Sequence, residues 1–135
     1  MKITKIWVAS LRGSAPPGGW ANEIKPNDCV HTLIAVHTDA SLTGRGSIST
    51  NDLLAHGALA MLEPLYLGEN PLEPERVTEK LNANTFWLGR GGAVTHTISG
   101  INIALWDILG KAAQQSVGGL LGGCYRDRVL AYWRA

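Results

Sequence analysis

The chain has 135 residues, with twelve Lys and Arg against eleven Asp and Glu and a net charge of +1. This length suits one domain with its own core, and the balanced charge argues against nucleic acid as a partner. No run of 18 apolar residues occurs, so we expect no membrane span.

The N-terminal stretch "MKITKIWVAS" mixes apolar and polar residues, which indicates a first strand over residues 2–11 and not a signal peptide. A cytoplasmic location is then the default expectation. Cys29 and Cys124 lie far apart without metal-type spacing, so we expect a reduced pair and no disulfide framework.

A long Pro- and Gly-rich loop is predicted over residues 12–28. Residues 29–38 then alternate strictly, and a turn with a third strand follows in "DASLTGRGSIS", so strands two and three should form an antiparallel hairpin. A loop as long as residues 12–28 inside a compact domain is often functional, although a mobile surface loop is nearly as good an interpretation.

Three helices are predicted after the strands. The first begins near Asn51 or Asp52 and stops before Pro64, and the second has Pro74 in its first turn, with Arg76 and Glu79 one turn apart. The third runs from about Thr95 to Gln115 and ends in a glycine-rich turn. Its apolar stripe at helical spacing consists of Ile98, Ile101, Ala104, Leu105, Ile108, Leu109 and Ala112. The final residues "DRVLAYWRA" indicate one more strand, so the order of elements favours an α+β fold.

Asp107 is the most conspicuous candidate for chemistry, because it interrupts the apolar stretch "GINIALWDILGK". Lys111 lies four residues later, at ion-pair spacing, and we favour a structural charge pair over a catalytic carboxylate. The four histidines share no metal-site spacing, and His31 and His37 lie too far apart on one strand to bind one ion. No pair of carboxylates can be nominated for acid–base work.

Two glycine-rich segments, "GRGS" at 44–47 and "GRGG" at 89–92, do not complete a dinucleotide or P-loop pattern. Arg90 precedes a predicted helix N-terminus, where an anion would be favoured, but a tight connection is the preferred interpretation. In the 12–28 loop, Trp20 offers apolar area, Asn22 and Glu23 offer hydrogen bonds, and Lys25 offers a cation.

The segment "TISGINIALWDILGKAAQQSVGGLLGGCYRDRVLAY", residues 97–132, resembles the end of the capping domain in the enolase superfamily, in the subgroup of mandelate racemase and muconate lactonizing enzyme with its acid-sugar dehydratases. Residues 1–50 are similar to the three-stranded start of that domain. The resemblance departs in two places: Ala40-Ser41 stand where similar sequences often have Gly in the hairpin, and Ser47 stands where many have Glu.

The resemblance implies a three-stranded antiparallel meander followed by a three-helix bundle over residues 1–125, with residues 126–135 starting a (β/α)8-type barrel. It also implies a Mg²⁺-dependent enzyme that abstracts a proton alpha to a carboxylate, acting as a dehydratase or racemase, a lyase or an isomerase. Loops near residues 14–28 and 46–52 would close over a sugar acid, with Trp20, Asn22, Glu23 and Ser49 facing the substrate. We expect a homo-oligomer.

A barrel takes about 250 residues, and only thirteen follow the glycine turn near residue 122. The resemblance therefore places no catalytic residue and no metal ligand within these 135 residues, and we expect a lid domain that does not catalyse the reaction alone. The alternative is a free-standing α+β module that binds a partner through an apolar face.

Overall fold

A computed structural model describes residues 1–11, 31–89 and 91–131. Three strands open the chain: β1 (Ile3–Leu11), β2 (His31–Thr38) and β3 (Thr43–Ile48). They form one antiparallel sheet in the order β1-β2-β3, which confirms the predicted meander.

Alternation along β2 sets the buried face of the sheet. Thr32, Ile34 and Val36 are fully buried, whereas His31, the first residue of the strand, is exposed. The hairpin between β2 and β3 places Ser41 at a φ of 61°, in the left-handed region that favours glycine. The turn therefore keeps a glycine-like backbone at a position where the sequence supplies serine.

The helices are α1 (Asp52–Tyr66), α2 (Pro74–Asn84), α3 (Gly92–Ala113) and a short α4 (Val117–Leu120), with a turn of 3-10 helix at Phe86–Leu88. The predicted end of α1 before Pro64 is wrong. A proline so close to the end of a helix removes only one backbone donor, and the Leu67 N–H still reaches the Glu63 carbonyl at 3.1 Å.

The bounds of α3 differ from the prediction by a few residues at each end. The helix begins at Gly92 and ends at Ala113, because Gln114 takes a left-handed conformation with a φ of 54°. The glycine-rich turn that follows contains α4, which the sequence did not indicate; the Ser116 hydroxyl caps it by accepting the Gly119 N–H at 3.0 Å.

The core lies between the sheet and α3. The predicted stripe of α3 supplies the side chains that are buried there: Ile98, Ile101, Ala104, Leu105 and Ile108. Ala112, assigned to the same stripe, is exposed because it lies in the last turn, beyond the sheet.

Glycines let α3 approach β3 directly. A Cβ atom on Gly44 would lie 2.0 Å from the Ala104 carbonyl oxygen, and one on Gly46 would lie 2.1 Å from the Gly100 carbonyl oxygen. Gly100 has the same function on the helix, since a Cβ there would lie 2.5 Å from Ile34 Cδ1. The glycines of "GRGS" are therefore packing residues between strand and helix.

Residues 126–131, where the sequence indicates a strand, form none in the described chain, and residues 132–135 lie outside the described residues. A strand needs a neighbour for its backbone donors and acceptors, and the described residues provide no such neighbour to this segment. The division into a domain at 1–125 and a barrel start at 126–135 stays a prediction.

Candidate functional site

One end of each of the three strands lies at the same end of the sheet. Leu11, the last residue of β1, pairs with His31, the first residue of β2, and Thr32 pairs with Ile48 at the end of β3. Both attachment points of residues 12–30 and the segment that leaves β3 are therefore neighbours. We call this end of the sheet, defined by Leu11, His31 and Ile48, the loop end.

The helices bring further residues to the loop end. Because Gly44 faces Ala104 and Gly46 faces Gly100, α3 runs antiparallel to β3, so its N-terminal turn with His96 lies at the loop end. The Asn102 amide donates to Thr78 Oγ1 at 2.8 Å, and α2 packs antiparallel to α3. The C-terminus of α2 and the 3-10 turn after it therefore lie at the same end.

Thr50 is the residue that connects sheet and helix at the loop end. The Thr32 hydroxyl donates to the Thr50 carbonyl at 2.5 Å, and Thr50 Oγ1 lies 2.6 Å from Nδ1 of His96. Thr50 is 8% exposed, while its neighbour Ser49 is exposed. Ser49 Oγ lies 3.5 Å from Nδ1 of His31, so the two polar groups are adjacent on the outer surface.

Of the four side chains predicted to face a substrate, Ser49 lies exposed at the loop end. Trp20, Asn22 and Glu23 lie outside the described residues, and their roles stay predictions. Sequence reasoning missed Thr50 and His96 as a pair, because they are 46 residues apart and only the packing of α3 on β3 brings them together.

Large apolar side chains are exposed around the loop end. Leu53, in the first turn of α1, is 76% exposed, and Leu54 beside it is 59% exposed. Trp87 in the 3-10 turn is 92% exposed. Exposed apolar side chains of this size indicate a surface that meets another molecule or another domain.

Asp107 lies away from the loop end and has a structural role, as favoured from its spacing. Its Oδ2 accepts the backbone N–H of Arg45 at 2.9 Å and the Lys111 ammonium at 2.5 Å, and Lys111 also donates to the Thr43 carbonyl at 2.7 Å. These contacts occupy a backbone donor and an acceptor on β3, an edge strand. The Asp107–Lys111 pair thus closes a sheet edge that could otherwise pair with another chain.

The shifted pKa values belong to residues at the other end of the molecule. Hydrogen bonds from Lys80 and Arg76 lower the pKa of Glu69, and burial, with the nearby Glu63 charge, raises the pKa of Tyr66 to about 12. The Glu69 carbonyl accepts the N–H of Ile3, at the start of β1. Arg76 pairs with Glu73 and Glu69.

Within residues 1–11, 31–89 and 91–131, no three His, Cys, Asp or Glu side chains lie close enough together to hold a metal ion. The groups that could bind or orient a ligand at the loop end are hydroxyls and imidazoles, from Ser49, His31 and His96. This donor set suits hydrogen bonding to hydroxyl or carboxylate groups. None of the described helices is long and apolar enough to cross a membrane.

Residues 26–122 match the family model of the mandelate racemase / muconate lactonizing enzyme N-terminal domain. The chain is 42% identical over 98 residues to a D-galactonate dehydratase family member of Streptomyces bingchenggensis, covering 72% of the chain and 22% of the relative. It is 38% identical over 104 residues to the D-xylonate dehydratase of Haloferax volcanii, covering 74% and 24%. The chain thus spans about a quarter of the length of these curated relatives.

The fold is similar to one part of longer chains whose structures are solved. A mandelate racemase/muconate lactonizing enzyme-like protein from Rubrobacter xylanophilus superposes with a TM-score of 0.74 at 30% identity, covering 93% of this chain and 28% of that one. A mandelate racemase/muconate lactonizing protein from Paracoccus denitrificans, complexed with magnesium, has the same fold with a TM-score of 0.75 at 23% identity, covering 93% and 31%. Together with the match over residues 26–122, these findings show that the chain belongs to the mandelate racemase/muconate lactonizing enzyme family of the enolase superfamily, as its N-terminal capping domain.

Proposed function

We propose that this domain covers the substrate of a Mg²⁺-dependent acid-sugar dehydratase, with the loop end facing the substrate. One observation carries the proposal: the strand register brings both attachment points of residues 12–30 and the exposed Ser49 to the same end of the sheet. The likeness to relatives named as a D-galactonate dehydratase family member and a D-xylonate dehydratase supports a sugar acid as the substrate class.

The reaction implied by the family is proton abstraction alpha to a carboxylate, for which a bound Mg²⁺ would supply positive charge beside the substrate. The described residues form no metal site, so none of them is assigned a role as a metal ligand. The share of this domain in the reaction is to cover and orient the substrate and to exclude water from it. Bases and metal ligands would come from a (β/α)8-type barrel joined to the domain.

Four side chains would contact the substrate in this proposal. Ser49 would hydrogen-bond a hydroxyl or carboxylate oxygen of the sugar acid, as Asn22 and Glu23 would from the 12–28 loop, and Trp20 would cover its apolar face. We further propose that the assembled enzyme is cytoplasmic and homo-oligomeric.

A domain exchange tests the proposal. Residues 1–125 replace the capping domain of the Haloferax volcanii D-xylonate dehydratase, and turnover of D-xylonate and D-galactonate is measured with Mg²⁺. We expect the chimera to turn over a sugar acid that the barrel half alone does not, because a barrel without its cover leaves the substrate open to water. The unaltered relative is the positive control.

A folded chimera without turnover, beside an active unaltered relative, would contradict the proposal. Sugar-acid turnover by the 135-residue chain alone would contradict the claim that the chemistry lies elsewhere. In an active chimera, Ser49→Ala should raise KM more than it lowers kcat, because the contact holds substrate and transition state alike.

The second candidate function is an interaction module without catalysis, favoured by the exposed Leu53 and Trp87 at the loop end. Calorimetric titration of the chain against the separately expressed barrel half separates the two. Tight binding together with an inactive chimera favours the module, whereas activity of the chimera favours the capping function.

A further inference from the structure

Two elements hold Thr50 at separate atoms. Thr32 in β2 binds its carbonyl through a hydroxyl at 2.5 Å, and His96 in α3 binds its hydroxyl through Nδ1 at 2.6 Å. The Thr50 side chain is therefore fixed inward, between the sheet and α3. Ser49 lies exposed between the buried Ile48 and the buried Thr50, so an inward Thr50 is accompanied by an outward Ser49.

The residues on either side of Thr50 have anchors of their own. Ile48 ends β3 with a buried side chain, and Asn51 caps α1 by accepting the Leu53 N–H at 2.8 Å. The segment between these anchors is short, so its conformation is set by the contacts at Thr50. His96 makes the contact to the Thr50 side chain from the first turns of α3, a helix that Gly100 allows to lie close to the sheet.

We infer that His96 is a positioning residue that fixes the segment Ser49–Asn51 and keeps the Ser49 hydroxyl at the outer surface of the loop end. The value of this placement for a substrate rests on the proposed function, but the placement itself does not. Thr50 transmits the constraint, with Thr32 holding its other side.

The test uses the full 135-residue chain without any ligand. Thr50→Val, which keeps the side-chain shape, and His96→Ala each remove the hydrogen bond, whereas His96→Asn keeps a polar atom near the position of Nδ1. NMR order parameters of the Ser49, Thr50 and Asn51 amides report the segment, and the ¹⁵N shift of His96 Nδ1 reports the bond itself. His56→Asn, at an exposed histidine of α1, is the matched control.

Losing one hydrogen bond should raise the population of released segment conformers about fivefold. We expect order parameters of the three amides to fall from about 0.85 towards 0.6 in Thr50→Val and His96→Ala, with Ile34 and Val36 unchanged. His96→Asn should restore most of the order, His56→Asn should change nothing, and the ¹⁵N shift of His96 Nδ1 should move in Thr50→Val.

Unchanged segment order in Thr50→Val, or an unmoved His96 Nδ1 signal, would overturn the inference. A loss of order in β2 as large as that in the segment would do the same, because it would show a general loss of stability. If His96→Ala fails to fold, Thr50→Val still decides the matter. Since no substrate is present, failure here is distinct from failure of the chimera.

Discussion

Ser41 shows how one residue carries backbone strain. Its φ of 61° lies in the left-handed region, which costs a non-glycine residue about 1 kcal/mol. Ser41→Gly should therefore raise the free energy of unfolding by up to about 1 kcal/mol, reduced by the greater freedom of glycine in the unfolded chain. Urea unfolding of the two variants measures the difference, and Ser47→Gly, within β3, should be destabilising instead.

Tyr66 makes stability depend on pH at the alkaline end. Burial raises its pKa from 10.0 to about 12, so the folded state keeps the neutral phenol while the unfolded state ionises. The contribution is fully present below pH 10 and is lost as the pH rises to 12. We expect a loss of about 2 kcal/mol at pH 11.5, less than the full pKa difference gives, because that pH lies below the pKa of Tyr66 in the folded state.

Urea unfolding at pH 9 and pH 11.5 measures that loss, with Tyr66→Phe as the control for other groups that titrate in this range. The Phe variant should lose less stability than the natural chain over the same interval. Equal losses in both would contradict the assignment to Tyr66.

The contact between α3 and β3 is the element on which the fold depends. Gly46→Ala would place a methyl group 2.1 Å from the Gly100 carbonyl oxygen, and backbone must move to admit it. We expect a loss of about 3 kcal/mol in unfolding free energy. Gly57→Ala is the matched control, because a Cβ atom at this position of α1 would meet no neighbouring side chain or element within 4 Å. It should raise the unfolding free energy by up to about 1 kcal/mol.

Chemical denaturation of both alanine variants gives the comparison. A Gly46→Ala variant as stable as the natural chain would show that strand and helix can separate without cost. The order of the two effects matters more than their size, because both substitutions add the same methyl group.

The first three strands and the three long helices were predictable because their patterns are local. Alternation from Thr32 to Val36 and the helical spacing from Ile98 to Ile108 are each visible within a few residues of sequence. The pair of Asp107 and Lys111 was predictable for the same reason. The backbone contact from Asp107 to Arg45 was not, because the two residues are 62 positions apart and meet only through packing.

The candidate site was predictable only in outline. Ser49 was named through a family resemblance, and its exposed position follows from the alternation of buried and exposed residues around Ile48. The link between Thr50 and His96 has no local signal, since it depends on the antiparallel course of α3 along β3. Non-local contacts of this kind are what a single sequence conceals.

At the scale of the whole molecule, the loop end exposes large apolar side chains that this domain does not bury. Leu53 and Trp87 are 76% and 92% exposed, and burial of two such side chains is worth about 3 kcal/mol or more. The isolated chain should therefore self-associate through this end. Sedimentation equilibrium should give a dissociation constant at least about tenfold weaker for Leu53→Gln/Trp87→Ser than for the natural chain.

Leu130→Gln is the matched control for that measurement, because Leu130 is as exposed as Trp87 but lies in the extended segment after α4. It should leave the association unchanged if the loop end is the surface involved. A natural chain that stays monomeric at all concentrations would contradict the prediction, and equal weakening by Leu130→Gln would move the contact away from the loop end. Because all three residues are exposed in the monomer, none of the substitutions should lower its own unfolding free energy by more than about 0.5 kcal/mol, which keeps association and folding separable.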